Sequence, residues 1–119
     1  MSDIAEFTLT LFNASTTAHI LHLQTRSYAT HMALGSFYEA LPGLVDSVVE
    51  AYQGKYGLIE RYPDVKTHSE AEPLEFIKWV QEYVQFCRKD LPQDTELQNM
   101  IDEIEALIDS TLYKLKFLS

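Results

Sequence analysis

Three of the four histidines of the chain, His19, His22 and His31, fall in the single stretch HILHLQTRSYATH. Histidine is the commonest metal ligand and the side chain whose charge changes near neutral pH. Further on, Asp46 and Glu50 stand four residues apart, one helical turn, inside the otherwise apolar run LVDSVVEAY. Carboxylates among apolar neighbours cost free energy unless they are paired or ligating, and the nearest cation in sequence is Lys55. Imidazole together with carboxylate is a donor set for iron or zinc rather than calcium. Beside that reading stands the plainer one of packed or surface histidines and solvated acids. His22 taken alone reads as a surface or packed residue, and His68, in KTHSEAEP, as a solvated loop residue.

The elements that must position these residues read as helices. The chain has 119 residues, 46% of them hydrophobic, with only four Gly and four Pro. That is enough for one globular domain, residues 1–119, with long uninterrupted runs and no many-turned sheet. The first run places Ile4, Phe7, Leu11, Ala14, Ala18 and Leu21 at helical spacing, with Ser2 or Asp3 as cap and Glu6 in support. The second reads as a helix from Tyr28 to Gly54, striped by Leu34, Phe37, Leu41, Leu44 or Val45, Val48 and Tyr52 and kinked at Pro42. A long connection follows over 54–72, in which LIERY could form a helical turn. The third helix starts near Pro73 with Leu74, Ile77, Val80, Val84 or Tyr83, and Cys87 inside. The fourth, capped by Asp94 or Thr95, carries Leu97, Ile101, Ile104, Ile108, Leu112 or Thr111, Leu115 and Leu118. Short, long and short connections predict an all-α, antiparallel four-helix bundle with a long crossover between helices two and three, the ferritin-like topology.

The net charge of −9 and pI of about 4.7 oppose binding to DNA phosphate and to anionic membranes and attract cations. Neither duplex DNA nor a membrane is therefore expected as a partner. The acidic start MSDIAEF lacks the pattern of a signal peptide, no apolar run is long enough to span a bilayer, and the lone Cys87 reads as a buried intracellular thiol. A cytoplasmic place of action is expected.

The order His19, His31, Asp46, Glu50, with intervals of twelve, fifteen and four, resembles the ferroxidase signature of the Dps family, the miniferritins of the ferritin-like superfamily. The phrases AHILHLQT and LVDSVVEAYQGKYG also resemble short Dps-like proteins of tailed phages. The likeness covers roughly residues 5–60; beyond it the chain matches only as amphipathic helices. It implies His19, His31, Asp46 and Glu50 as metal ligands, with His22 as an additional candidate. It implies iron, or another divalent metal such as zinc, ferroxidase activity, and a homo-oligomer of at least two subunits acting in a host cytoplasm or a virion. The chain departs from the family at Ile20, where Trp is usual, at His22, where Asn is usual, and at Pro42. It has no Lys-rich tail, and no Glu stands three residues before any histidine, the positions being Thr16, His19, Tyr28 and Val65.

If the first two helices form a hairpin turning near Arg26–Tyr28, both histidines sit toward the turn and both carboxylates far from it. The gap is about 11 residues, or ~16 Å of helix, against metal–ligand bonds of about 2 Å. One hairpin cannot bring the four to one ion; two hairpins antiparallel about a two-fold axis can. Two other readings compete with iron oxidation. One is a non-catalytic, phage-type structural or interaction protein that keeps the fold without metal chemistry. The other is a DNA mimic, for which no regular double stripe of carboxylates is present.

Overall fold

A computed structural model describes residues 3–66 and 72–118. His68 lies outside these residues. Four helices account for most of them: α1 (Ile4–Gln24), α2 (Tyr28–Tyr56), α3 (Pro73–Cys87) and α4 (Thr95–Phe117). No strand occurs among the described residues.

The helix ends follow from local chemistry. Asp3 caps α1 by accepting the Glu6 amide at 2.8 Å. Ser27 caps α2 by accepting the Thr30 amide at 3.2 Å, so only residues 25–27 separate the first two helices. Glu72 caps α3, accepting from the amides of Leu74 and Glu75 at 3.1 and 3.0 Å, with Pro73 in the first turn. The expected stop of α2 at Gly54 is corrected. The helix runs through Gly54 and ends before Gly57, whose φ of 101° lies where a side chain would be strained. LIERY forms no helical turn.

Each helix packs mainly on two others: α1 on α2 and α3, and α4 on α2 and α3. Ile4 of α1 lines one cleft with Tyr52 of α2 and with Asp90 and Leu91 of the α3–α4 loop. At the opposite end Leu21 and Gln24 meet Pro73, and Tyr28 and Met32 meet Leu118. Helices α1 and α4 therefore run one way and α2 and α3 the other. The connection 57–72 must return along a bundle 44 Å in its longest dimension, within the ~55 Å reach of an extended segment of that length. Its described part lies against α1, where Asn13 Nδ2 donates to the Val65 carbonyl at 3.3 Å.

The expected apolar stripes form one core. Phe7, Phe37 and Phe76 are fully buried, with Leu11, Leu34, Leu41, Val45, Ile77, Ile101, Ile104 and Ile108. Leu74, Tyr83 and Leu115 are half-buried, and Leu118 is exposed rather than internal. Trp79 is half-buried at the rim of the core, in an aromatic row that links Phe76, Trp79, Tyr83 and Phe7 at centroid spacings of 6.2, 5.4 and 6.2 Å.

Two polar clamps join the ends. Asp94 precedes α4 but makes no capping bond with its side chain. It pairs instead with Lys55 and accepts the Tyr56 hydroxyl at 2.6 Å, and these two donors hold its carboxyl below the usual range. Arg88, at the end of α3, donates to the Gln98 side chain at 2.9 Å and its carbonyl at 3.0 Å, and pairs with Asp102 at 2.8 Å and with Glu105.

Helix α2 continues through Pro42. Proline has no N–H to donate to the carbonyl four residues back, and that carbonyl belongs to Tyr38. The buried Ser15 of α1 supplies the missing donor, its hydroxyl reaching the Tyr38 oxygen at 2.9 Å. Serine on one helix thus compensates for proline on the next. Ser15→Ala is expected to cost about 1–3 kcal/mol, the penalty of an unsatisfied buried acceptor. In a Pro42→Ala background, where a backbone N–H is restored, the same change costs at least about 0.5 kcal/mol less. Urea unfolding of the two single variants and the double variant measures the coupling; additive effects contradict it.

Candidate metal centre

The α1–α2 turn brings the three clustered histidines together. His22 and His31 stack with ring centroids 3.6 Å apart and planes 18° from parallel. His22 Nδ1 lies 2.6 Å from the His31 carbonyl oxygen, and His31 Nδ1 lies 2.8 Å from that of His22. A carbonyl oxygen can only accept, so each Nδ1 carries the proton. In a neutral ring so protonated, the lone pair is on Nε2. Among the described residues neither Nε2 has a hydrogen-bond partner. This is the state in which histidine binds a metal, its far nitrogen free and its near N–H held by a carbonyl.

Gly35 makes the stack feasible. A Cβ at this position would stand 3.1 Å from His22 Cε1 and 3.2 Å from His22 Nδ1. His19, one turn before His22, lies flat on Tyr38 at 4.0 Å with planes 8° apart, and its ring is solvent-exposed. Of two adjacent aromatic residues of α2, Phe37 belongs to the core and Tyr38 to this cluster. The same Tyr38 presents its carbonyl to Ser15, so one residue of α2 ties two levels of α1.

Asp46 and Glu50 are both exposed on α2. The expectation that an apolar setting obliges them to find a counter-ion is corrected for the single chain. Leu41, Val45 and Val48 face the core while Asp46 and Glu50 face away from it. His19 is level with Tyr38, and from Tyr38 to Asp46 is about eight residues, or ~12 Å of helix. The chain does not bring His19, His31, Asp46 and Glu50 to one point. Among the described residues no group of three or more His, Cys, Asp or Glu is placed to hold a metal ion.

Residue-type spacing missed His22 as a structural partner of His31, and missed Gly35 entirely. The signal available was the nine-residue interval across a three-residue turn, with a glycine one helical turn after His31. Tyr52 and Tyr56 pair at 5.0 Å, Tyr56 bonds Asp94, and Tyr62 is exposed. No described helix is long and apolar enough to cross a membrane.

The chain belongs to the family described as a family of unknown function, DUF5856, whose model matches residues 22–115. It is also similar to an uncharacterised 14.6 kDa protein in the mobD-ri intergenic region of Enterobacteria phage T4, with 27% identity over 117 residues covering 96% of this chain and 88% of the relative. No solved structure matches. The matched family segment begins at His22 and includes His31, Asp46 and Glu50, while His19 precedes it.

The stack predicts opposite outcomes for glycines within one helix. Gly54→Ala meets open space and is expected to stabilise by about 0.5–1 kcal/mol through helix propensity. Gly35→Ala meets a ring held between His31 and its carbonyl, and is expected to be at least about 1 kcal/mol less stable than Gly54→Ala. Chemical denaturation of the two variants decides this; equal stabilities contradict a fixed His22 ring.

Proposed function

We propose that this DUF5856 protein is a ferritin-like, Dps-type bundle that binds iron, or another divalent metal such as zinc, between two subunits. His19 and His31 of one α1–α2 hairpin would meet Asp46 and Glu50 of the other, with His22 as an additional donor. The observation that carries the reading is the fixed tautomer of His31, whose Nδ1–H is held by the His22 carbonyl while Nε2 is free. The exposure of Asp46 and Glu50 one turn apart supports it, because only outward carboxylates can reach a second chain. The run of the helices, α1 and α4 against α2 and α3 with one long crossover, agrees with a ferritin-like arrangement. A two-fold interface gives two equivalent sites per dimer.

Iron is the substrate in this reading. Oxidation removes one electron from each Fe(II), with dioxygen or peroxide as acceptor, and raises the charge of the ion. The carboxylates of Asp46 and Glu50 favour the higher charge, and the neutral imidazoles fix direction and distance. A second reading, favoured by the similarity to a phage T4 protein, is a phage-type structural or interaction protein without metal chemistry. In both readings the place of action is a host cytoplasm or a virion.

Complementation separates the two. One chain carries His19→Ala with His31→Ala, a second Asp46→Ala with Glu50→Ala, and iron oxidation is measured on each homodimer and on the co-expressed mixed dimer. Both homodimers are expected to be inactive. The mixed dimer regains one intact site, about half the wild-type activity per dimer, as two equivalent sites require. Mixed dimers that stay inactive beside an active wild type, or an active wild type that is monomeric, overturn the shared site; a wild type that neither binds nor oxidises iron leaves the second reading.

A further inference from the structure

A groove runs between the first turns of α2 and the last turn of α4, lined by Tyr28, Ala29, Met32, Ala33, Lys114 and Leu118. It holds about 440 Å³ of open space. Three of its large apolar side chains face water: Tyr28 is 75% exposed, Met32 50% and Leu118 46%. Along α2 the lining residues repeat at one-turn intervals, so they form one face. Leu118 continues the apolar stripe of α4 past the point where the bundle covers it.

The charges around this groove differ from those of the rest of the chain. The protein carries −9 overall, yet no Asp or Glu occurs between Phe7 and Tyr38 or after Asp109. Lys114 stands in the groove wall, Lys116 lies in the last turn of α4, and Arg26 lies in the turn before α2. The described carboxylates nearest the groove are Glu39, one turn beyond its lining on the same face of α2, and Glu72 and Glu75 of α3, which packs on α1 and α4; Glu72 is engaged in capping its own helix.

We infer that this groove docks an acidic amphipathic helix of a partner protein. The apolar floor takes the helix's hydrophobic stripe, and Lys114, with Lys116 and Arg26 at the same end, faces its carboxylates. Helix-in-groove recognition uses anchors at one-turn spacing, the spacing that Tyr28 and Met32 present. The size of the groove points to a single helix and not to a second copy of the chain. Its length along α2, from Tyr28 to Ser36, is ~12 Å and its width about one helix, ~10 Å, far less than the roughly 800 Å² per partner of a standard stable interface. An anionic membrane or duplex DNA extends beyond this end and meets the acidic body. A short helix contacts only the groove and its Lys114 wall, with other charges screened beyond about 8 Å at physiological salt.

The probes are two dye-labelled peptides of about sixteen residues, long enough for the four anchor positions i, i+3, i+4 and i+7 of a grooved helix. Both carry Leu at the anchors, one with Glu and the other with Lys at the remaining polar positions. Fluorescence anisotropy on the full chain is expected to show the Glu peptide binding about tenfold or more tightly than the Lys peptide. Lys114→Glu abolishes or reverses that preference. Tyr28→Ser with Met32→Ser, which removes the apolar floor without altering charge, weakens the Glu peptide about tenfold. These side chains are half or more exposed, and circular dichroism checks that each variant is folded. If the double serine variant fails to fold, Leu118→Ser replaces it. Equal affinity for the two peptides, or a Glu-peptide affinity that no groove variant alters, overturns the proposal. So does a homodimer that dissociates in Tyr28→Ser/Met32→Ser by analytical ultracentrifugation, which assigns the groove to a second copy. Binding to phosphatidylglycerol vesicles that the same variant removes, without peptide preference, assigns it to a membrane and likewise overturns it.

Discussion

Two imidazole N–H groups, each donating to the other residue's carbonyl across a three-residue turn, set the register of α1 against α2. From that register the rest of the hairpin follows. His19 falls on Tyr38, Ser15 falls on the carbonyl that Pro42 leaves without a donor, and Ile4 reaches the level of Tyr52. The same two bonds decide the chemistry available at the turn. An imidazole whose Nδ1–H is committed has one nitrogen left, with a lone pair. Structure and reactivity here are one constraint: loosening the clasp releases both the register and the tautomer.

The clasp also separates the donors. By holding the histidines at the turn, it places Asp46 and Glu50 some turns away on an exposed side of α2. A site that used both sets would have to be completed by a second hairpin, and in the proposed shared site metal binding and subunit association would be a single equilibrium. Mass action then links them, since a metal bound only by the pair stabilises the pair. The far ends of the helices are tied independently by Asp94 with Lys55 and Tyr56, and by Arg88 with Gln98, Asp102 and Glu105.

Much of this was legible in the residues. The stripes of α1 and α4 up to Leu112 mark side chains that are in fact buried, because a 3.6-residue period in apolar positions leaves few other solutions. Asp3 and Pro73 announced their helix starts through capping and ring geometry. The end of α2 was misplaced because an interior glycine costs a helix only about 1 kcal/mol, so Gly54 is tolerated and Gly57, at positive φ, is the true stop. The setting of Asp46 and Glu50 was misread for a similar reason. Apolar neighbours in sequence point to different sides of a helix, and Leu44 and Val49 are only half-buried while Val45 and Val48 are internal. The pairing of His22 with His31 was out of reach of spacing alone, since it depends on the turn geometry and on the room left by Gly35.

The clasp can be observed directly through the side-chain nitrogens. Long-range proton–nitrogen correlation spectra of the 15N-labelled protein, recorded at a pH where the rings are neutral, distinguish the two tautomers of each histidine. The account predicts that His22 and His31 both carry the proton on Nδ1, with Nε2 unprotonated in each. A spectrum in which either ring is protonated on Nε2, or in which both average between tautomers like free imidazole, contradicts it.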